Sequence, residues 1–449
     1  MSVVPDDIDA ERGPPMSTPL RHFVVGLGFL LAGLAVGGLV AAGVAPGLAV
    51  LAHVHLLLVG WVCVTIMGAM TQFVPVWSGA PLHSRRLASA ELWLVGAGVA
   101  GLAVALLAGR VAWLPVAGSL LFAGIWTFGY NLARTLARVD SPGVTERHFA
   151  LGVGFFALVS VLGILLALDF AVPVLPVAGV THARLLAAHA TLAVFGVILT
   201  TVFGALYQLG TMFTQTELHG VDVHLRRVEE VGYPVGVLLL AGGRLVGSPP
   251  VARVGGVLVV LGALSLGVVL GRKLLETRVP RTPMLSRYAV VAGALLLWAV
   301  LAARTWVADP LARSAWFGPA GVAHLLLVGV VAFVVAGTLY HVVPFIVWVN
   351  RYSDLLGYEK VPMIDDLYVD RVAAVDFWAL LGGGAFVALH EAGAPGPLAV
   401  VGGALALAGG VLFAANLLGV LWRHSPQPLS RVVLGRLVGP ADAASQGEK

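Results

Sequence analysis

The sequence predicts an all-α polytopic membrane protein of twelve transmembrane helices arranged as three pseudo-repeats of four. Three observations carry this. The composition is 59% hydrophobic and only 11% charged over 449 residues, where soluble domains carry about 25% charged residues. Apolar runs near twenty residues, the length that crosses hydrocarbon, occur twelve times along the chain. One apolar segment also returns three times, at a period of about a third of the chain.

The predicted helices are 22–44, 49–77, 88–109 and 113–136, then 149–170, 182–213, 231–247 and 251–271, then 285–304, 317–349, 372–389 and 397–422. The stretch 231–247 is the least apolar of them. The expected organisation is a polar N-terminal tail (1–19), repeat one (20–140), repeat two (141–282), repeat three (283–424) and a C-terminal tail (425–449). The first apolar run lacks the basic start and short core of a secretory signal and reads as a retained span. A single cysteine, Cys63, excludes an internal disulfide and any cysteine-held cluster. The 56 glycines suit helices that pack closely in lipid.

The repeat is read from the second helix of each group. The segments from His53, His189 and His324 align on Gly68-Ala-Met-Thr-Gln, Gly204-Ala-Leu-Tyr-Gln and Gly337-Thr-Leu-Tyr-His. These anchors lie 136 and 133 residues apart. His55 and His324 fall 13 residues before their anchors, and His53 and His189 fall 15 before theirs. Gln72, Gln208 and His341 share a further position and are expected to bond between helices, while Tyr207 and Tyr340 are expected to pack.

Orientation follows from the basic residues. Of 27 lysines and arginines, 21 fall on the side of the termini and six on the other. Both termini are therefore expected in the cytoplasm, with the protein in the plasma membrane. This asymmetry accounts for the net charge of +4, and no nucleic-acid partner is expected. Trp113, Trp306 and Trp316 are expected in an outer aromatic belt, and Trp77, Trp348 and Trp422 in an inner one.

An ionisable side chain buried in lipid faces a partner or a cavity. His53, His55, His189 and His324 meet that description, with no carboxylate expected beside them. His22, His83, His148, His219, His224, His390 and His424 are expected to be solvated. Residues two apart point about 200° apart around a helix, so His53 and His55 serve different neighbours. Two imidazoles from different helices make a low-spin, electron-transferring haem site. His55 and His324, at equivalent positions, are the expected pair.

His53-Val54-His55 followed by Gly60-Trp61, Gly68 and Pro75 resembles subunit I of the haem–copper oxidase superfamily, nearest the cbb3-type oxidases and nitric oxide reductases. The resemblance implies haem ligands in helices two and ten and a copper ligand in helix six. It implies a low-spin b-type haem on His55 and His324, and copper on His189. The remaining ligands are absent: Val322 stands where the family's tenth helix has its high-spin haem histidine, and 231–247 has no histidine for copper. The implied function is electron transfer, or reduction of O2 or NO by an oxidoreductase with an incomplete copper site. Implied partners are small respiratory subunits and a cytochrome or cupredoxin electron donor. Extended to Pro75-Val76-Trp77-Ser78-Gly79, the same residues are similar to the NnrS family of haem- and copper-containing membrane proteins of nitric oxide metabolism. There His53 would be a second haem or copper ligand. A reading of another class is a transporter or membrane scaffold whose histidines hold helices together.

Overall fold

The computed structural model describes residues 15–434. The outer parts of both expected tails, 1–14 and 435–449, lie outside the described residues. Helix α1 begins at Ser17, inside the expected N-terminal tail, and a short helix α13 (Leu429–Leu434) occupies the start of the C-terminal one. Between them lie α2 (Ala49–Ser78), α3 (Arg85–Leu107) and α4 (Leu114–Leu136), completing repeat one with α1 (Ser17–Ala41). Repeat two comprises α5 (Val144–Ala171), α6 (His182–Thr214), α7 (Val221–Val246) and α8 (Pro249–Glu276). Repeat three comprises α9 (Pro283–Ala308), α10 (Val322–Arg351), α11 (Asp370–Glu391) and α12 (Pro397–His424). In lipid every backbone polar group must be satisfied within the protein, and long helices do this.

Eleven of these helices are long and apolar enough to cross a membrane. The twelfth, α7, starts ten residues before the expected 231 and carries Asp222, Arg226, Arg227, Glu229 and Glu230 in its first turns. It still runs the depth of the bundle. Asp222 near its start pairs with Lys273 at the end of α8 (2.9 Å). At its other end, Arg244 reaches the Pro310 carbonyl in the loop after α9 (3.1 Å). Large apolar side chains such as Leu120, Leu158, Val257 and Val300 are exposed on the flanks, as a lipid-facing surface requires.

In each repeat the third and fourth helices form a tight antiparallel hairpin. The fourth helix packs on the first helix of the next repeat, and α12 packs on α1, closing the ring. The motif helices α2, α6 and α10 stand innermost. They surround a small apolar chamber of about 60 Å³ lined by matched positions: Ile66, Val202 and Val335, then Ala69, Ala205 and Thr338, then Met70, Leu206 and Leu339. The chain thus winds as a pseudo-threefold ring about this chamber.

Two glycine positions set how closely the helices approach. A Cβ on the anchors Gly68 and Gly204 would collide with the Cβ of His22 on α1 and of His148 on α5, and one on Gly337 would sit 3.1 Å from the Cβ of Arg287 on α9. Eight residues earlier, a Cβ on Gly60, Gly196 or Gly329 would press on Phe29 (2.6 Å), Phe155 (2.9 Å) and Ala294 (2.8 Å). That second glycine lies within a π-helical stretch found at one register in all three motif helices: Leu56–Cys63, Leu192–Leu199 and Leu325–Ala332. Such π segments are rare and concentrate at functional sites. The Phe195 carbonyl inside one of them accepts from Tyr233 Oη (2.8 Å) and Thr200 Oγ1 (3.2 Å), so the widened turn leaves it satisfied.

Of the tryptophans expected in the belts, Trp113 and Trp422 are exposed, whereas Trp306 and Trp348 are buried. Those two are core residues whose indole N–H groups donate to the carbonyls of Ala315 (2.6 Å) and Pro362 (2.7 Å).

Substituting Gly204→Ala should lower stability by about 1–3 kcal/mol through overpacking, read as a lower midpoint of thermal unfolding in detergent. Gly154→Ala, where a Cβ meets open space, should not.

Candidate functional site

The four intramembrane histidines lie at the end of the bundle opposite the termini, just ahead of the π-helical stretches. Each is half-buried. In each the Nδ1 edge is tied down. It meets the Leu51 carbonyl in His55 (2.8 Å), the Gly33 carbonyl in His53 (2.8 Å) and the Val159 carbonyl in His189 (3.1 Å). In His324 it meets the Glu391 carboxylate (2.8 Å). A carbonyl can only accept, so Nδ1 carries the hydrogen in the first three. Their Nε2 is left with a lone pair and no protein partner. This is the outer-shell arrangement that orients an imidazole as a ligand and raises its basicity. Glu391 corrects the expectation that no carboxylate stands beside these histidines.

His55 and His189 line one cleft, which holds about 150 Å³ of space open to water. Its walls come from α2, α3, α4, α5 and α6, at the junction of repeats one and two. Leu58, Leu102, Leu121, Phe156 and Ile198 make it apolar, and Gly163 admits the His189 ring, which would lie 3.1 Å from a Cβ there. His324 is not among its lining residues. It lies instead near His53, on the other side of α2. His53 and His55 therefore face opposite neighbours, as the helix geometry predicts.

The register makes this a rule. At each junction the residue 13 before one anchor meets the place 15 before the next. Repeats one and two bring His55 to His189, and repeats three and one bring His324 to His53. At the junction of repeats two and three the corresponding places hold Thr191 and Val322, and the space is filled. Phe195 packs against Trp298 (5.5 Å), Trp306 (5.4 Å, edge to face) and Phe317 (6.1 Å), and the first three of these rings are almost wholly buried. Arg244 lies over Trp306 (5.5 Å) and donates to Thr191 Oγ1 (2.7 Å).

No protein-family model and no curated protein matches the chain.

The one group of three metal-ligand side chains among the described residues is His219, Asp222 and Glu276, at the end of the termini. Lys273 and Arg272 already pair with its carboxylates (2.5–3.3 Å), so it is an ion-pair network.

Several expectations need correction. His22 and His148 are buried (1% and 0% exposed) against Glu91 and Glu229. Tyr340 does more than pack, since its hydroxyl donates to Asp376. His341 makes no hydrogen bond between helices and sits between the rings of Phe213 (4.5 Å) and Phe345 (6.0 Å). Gln72 Oε1 is buried without a partner, and Gln208 is exposed. The signal for the buried bases was present but unread: each first helix has a basic residue seven before the one facing the π-segment glycine.

Phe195→Ala should cost about 3–5 kcal/mol, because the rings around it cannot collapse into the void. Chemical or thermal unfolding of the purified protein measures this.

Proposed function

We propose that the protein is a haem-binding integral membrane protein of electron transfer, with a b-type haem held between His55 and His189. The observation that carries this is the pair of imidazoles, each anchored through Nδ1 with a free Nε2, in the wall of one apolar cleft. A haem ligated by two imidazoles supplies one-electron transfer and leaves no open coordination position. The residues present fit such a group. The imidazoles come from different helices, and the walls are apolar.

The Leu51 and Val159 carbonyls fix the tautomers of His55 and His189. Phe156, Leu121 and Ile198 exclude water and lower the local dielectric. Cys63, also in the wall, is a small apolar residue here. The twelve-helix ring resembles subunit I of the haem–copper oxidases in this reading, and NnrS proteins equally. Oxygen or nitric oxide reduction at a haem–copper pair is disfavoured, because Thr191, Val322 and the aromatic cluster take up the third junction. Plasma-membrane location with both termini cytoplasmic, and an external cytochrome or cupredoxin donor, belong to the same proposal.

A second reading concerns His53 and His324. The Glu391–His324 contact is the carboxylate–histidine arrangement common behind metal ligands, and a copper ion or second haem on this side of α2 is the corresponding proposal.

His55→Ala and His189→Ala should each abolish the low-spin haem bands and most of the bound haem, while His324→Ala keeps them. Loss of the bands in His324→Ala with retention in His189→Ala would instead return the ligand pair to His55 and His324. Copper content that falls in His53→Ala and His324→Ala, with haem unchanged, would support the second reading.

A further inference from the structure

At the end of the bundle that carries the termini, each repeat buries one base and one acid at matching places. The base stands on the first helix, against the anchor glycine, and the acid on the third. Repeat one pairs His22 with Glu91 (3.5 Å), repeat two His148 with Glu229 (3.1 Å), and repeat three Arg287 with Asp376. All six residues are at most 1% exposed.

The third pair is locked. Arg287 also donates to the carbonyls of Pro283 (2.9 Å) and Ala373 (3.0 Å). Asp376 accepts from Tyr340, whose oxygen in turn accepts from Asn416 (3.1 Å). A guanidinium does not release its proton in a protein, so this pair is a fixed charge pair.

The first two pairs differ in kind. His22 Nδ1 donates to the Thr18 carbonyl (2.9 Å) and His148 Nδ1 to the Val144 carbonyl (2.8 Å). Each ring therefore turns Nε2 to its glutamate. With one proton held within a pair, on the imidazole or on the carboxyl, the pair is neutral either way. Loss of that proton leaves a lone carboxylate, and gain of another leaves an imidazolium beside a carboxylic acid. Both oxygens of Glu91, His22 Nε2, Glu229 Oε2 and Tyr207 Oη are buried with no hydrogen-bond partner, unlike their counterparts in repeat three.

We propose that His22–Glu91 and His148–Glu229 are proton-binding sites that exchange protons with the solvent at the end of the termini. The route out is short. Glu91 lies six residues inside α3, about 9 Å of helix rise, from exposed Arg85. His148 and Glu229 are each adjacent in sequence to a member of the surface pair Arg147–Glu230. The charged and titratable groups facing the sites are few. For Glu229 they are His148 and Tyr207 across the helices, with Arg226, Glu230 and Tyr233 on α7. For Glu91 they are His22 and, beside it on α1, Arg21, which bonds Ser89 Oγ (3.3 Å) and the Val432 carbonyl (3.0 Å). The proposal does not depend on the haem.

The test is an infrared titration of the purified full chain in detergent, from about pH 4 to 9, which spans the ordinary glutamate and histidine ranges. The carbonyl stretch of protonated carboxylic acids should contain two titrating components, one lost in Glu91→Gln and the other in Glu229→Gln. His148→Arg installs the repeat-three base. It should remove the Glu229 component near neutrality and reduce by one the protons released between acid and alkaline pH. Unchanged carboxyl bands in both glutamine variants would overturn the proposal and leave the pairs as structural contacts. A Glu229 component that survives His148→Arg unaltered would overturn it for repeat two. Retention of the native elution volume by the glutamine variants, which are isosteric, confirms that folded protein is compared.

Discussion

The structure depends on how closely each motif helix is approached by the first helix of its own repeat. Lipid offers no hydrophobic drive for helix association, so backbone approach and van der Waals contact carry it. Two glycines per motif helix, 136 and 133 residues from their counterparts, provide the two contact points. The anchor glycine admits the β-carbon of a buried base, and the one eight residues before it sits in the π-helical stretch and admits Phe29, Phe155 or Ala294. With both contacts fixed, the helix can neither slide nor rotate, and the histidines ahead of the π segment acquire definite directions.

Those directions explain why the ligand pair read from the sequence differs from the pair that shares the cleft. Alignment of repeats pairs like with like, and His55 and His324 are alike. In a closed ring, however, equivalent residues point to successive junctions, and contacts across a junction join unlike positions, as in any heterologous ring. His55 therefore turns to His189 and His324 to His53. Twelve helices, three repeats and the opposed directions of His53 and His55 were legible from composition, spacing and the period of the helix. The ring closure of α12 on α1, which decides the pairing, is a long-range property that no local pattern reports.

Other features were hidden for local reasons. Apolar runs look alike whether their hydrogen bonds close four or five residues apart, so the π segments had no signature beyond the recurring glycine. His22 and His148 sit at helix starts, where exposure is the ordinary outcome, and only the distant carboxylates Glu91 and Glu229 make burial tolerable. Charge within 221–230 obscured α7 as a span, because its acidic groups Asp222, Glu229 and Glu230 are met by Lys273, His148 and Arg147 from neighbouring helices.

The two ends of the bundle thus carry different chemistry on one repeat plan. The far end offers free imidazole nitrogens in an apolar cleft, and the near end holds exchangeable protons in two repeats and a fixed ion pair in the third. About 20 Å of helix rise separates them along a motif helix. The most direct test of the central claim is a reduced-minus-oxidised visible spectrum of the purified protein, repeated after addition of carbon monoxide. Sharp low-spin bands that carbon monoxide does not move are the predicted result. Absence of haem bands in protein made with ample haem, or a band that shifts with carbon monoxide, would contradict a site closed by two imidazoles.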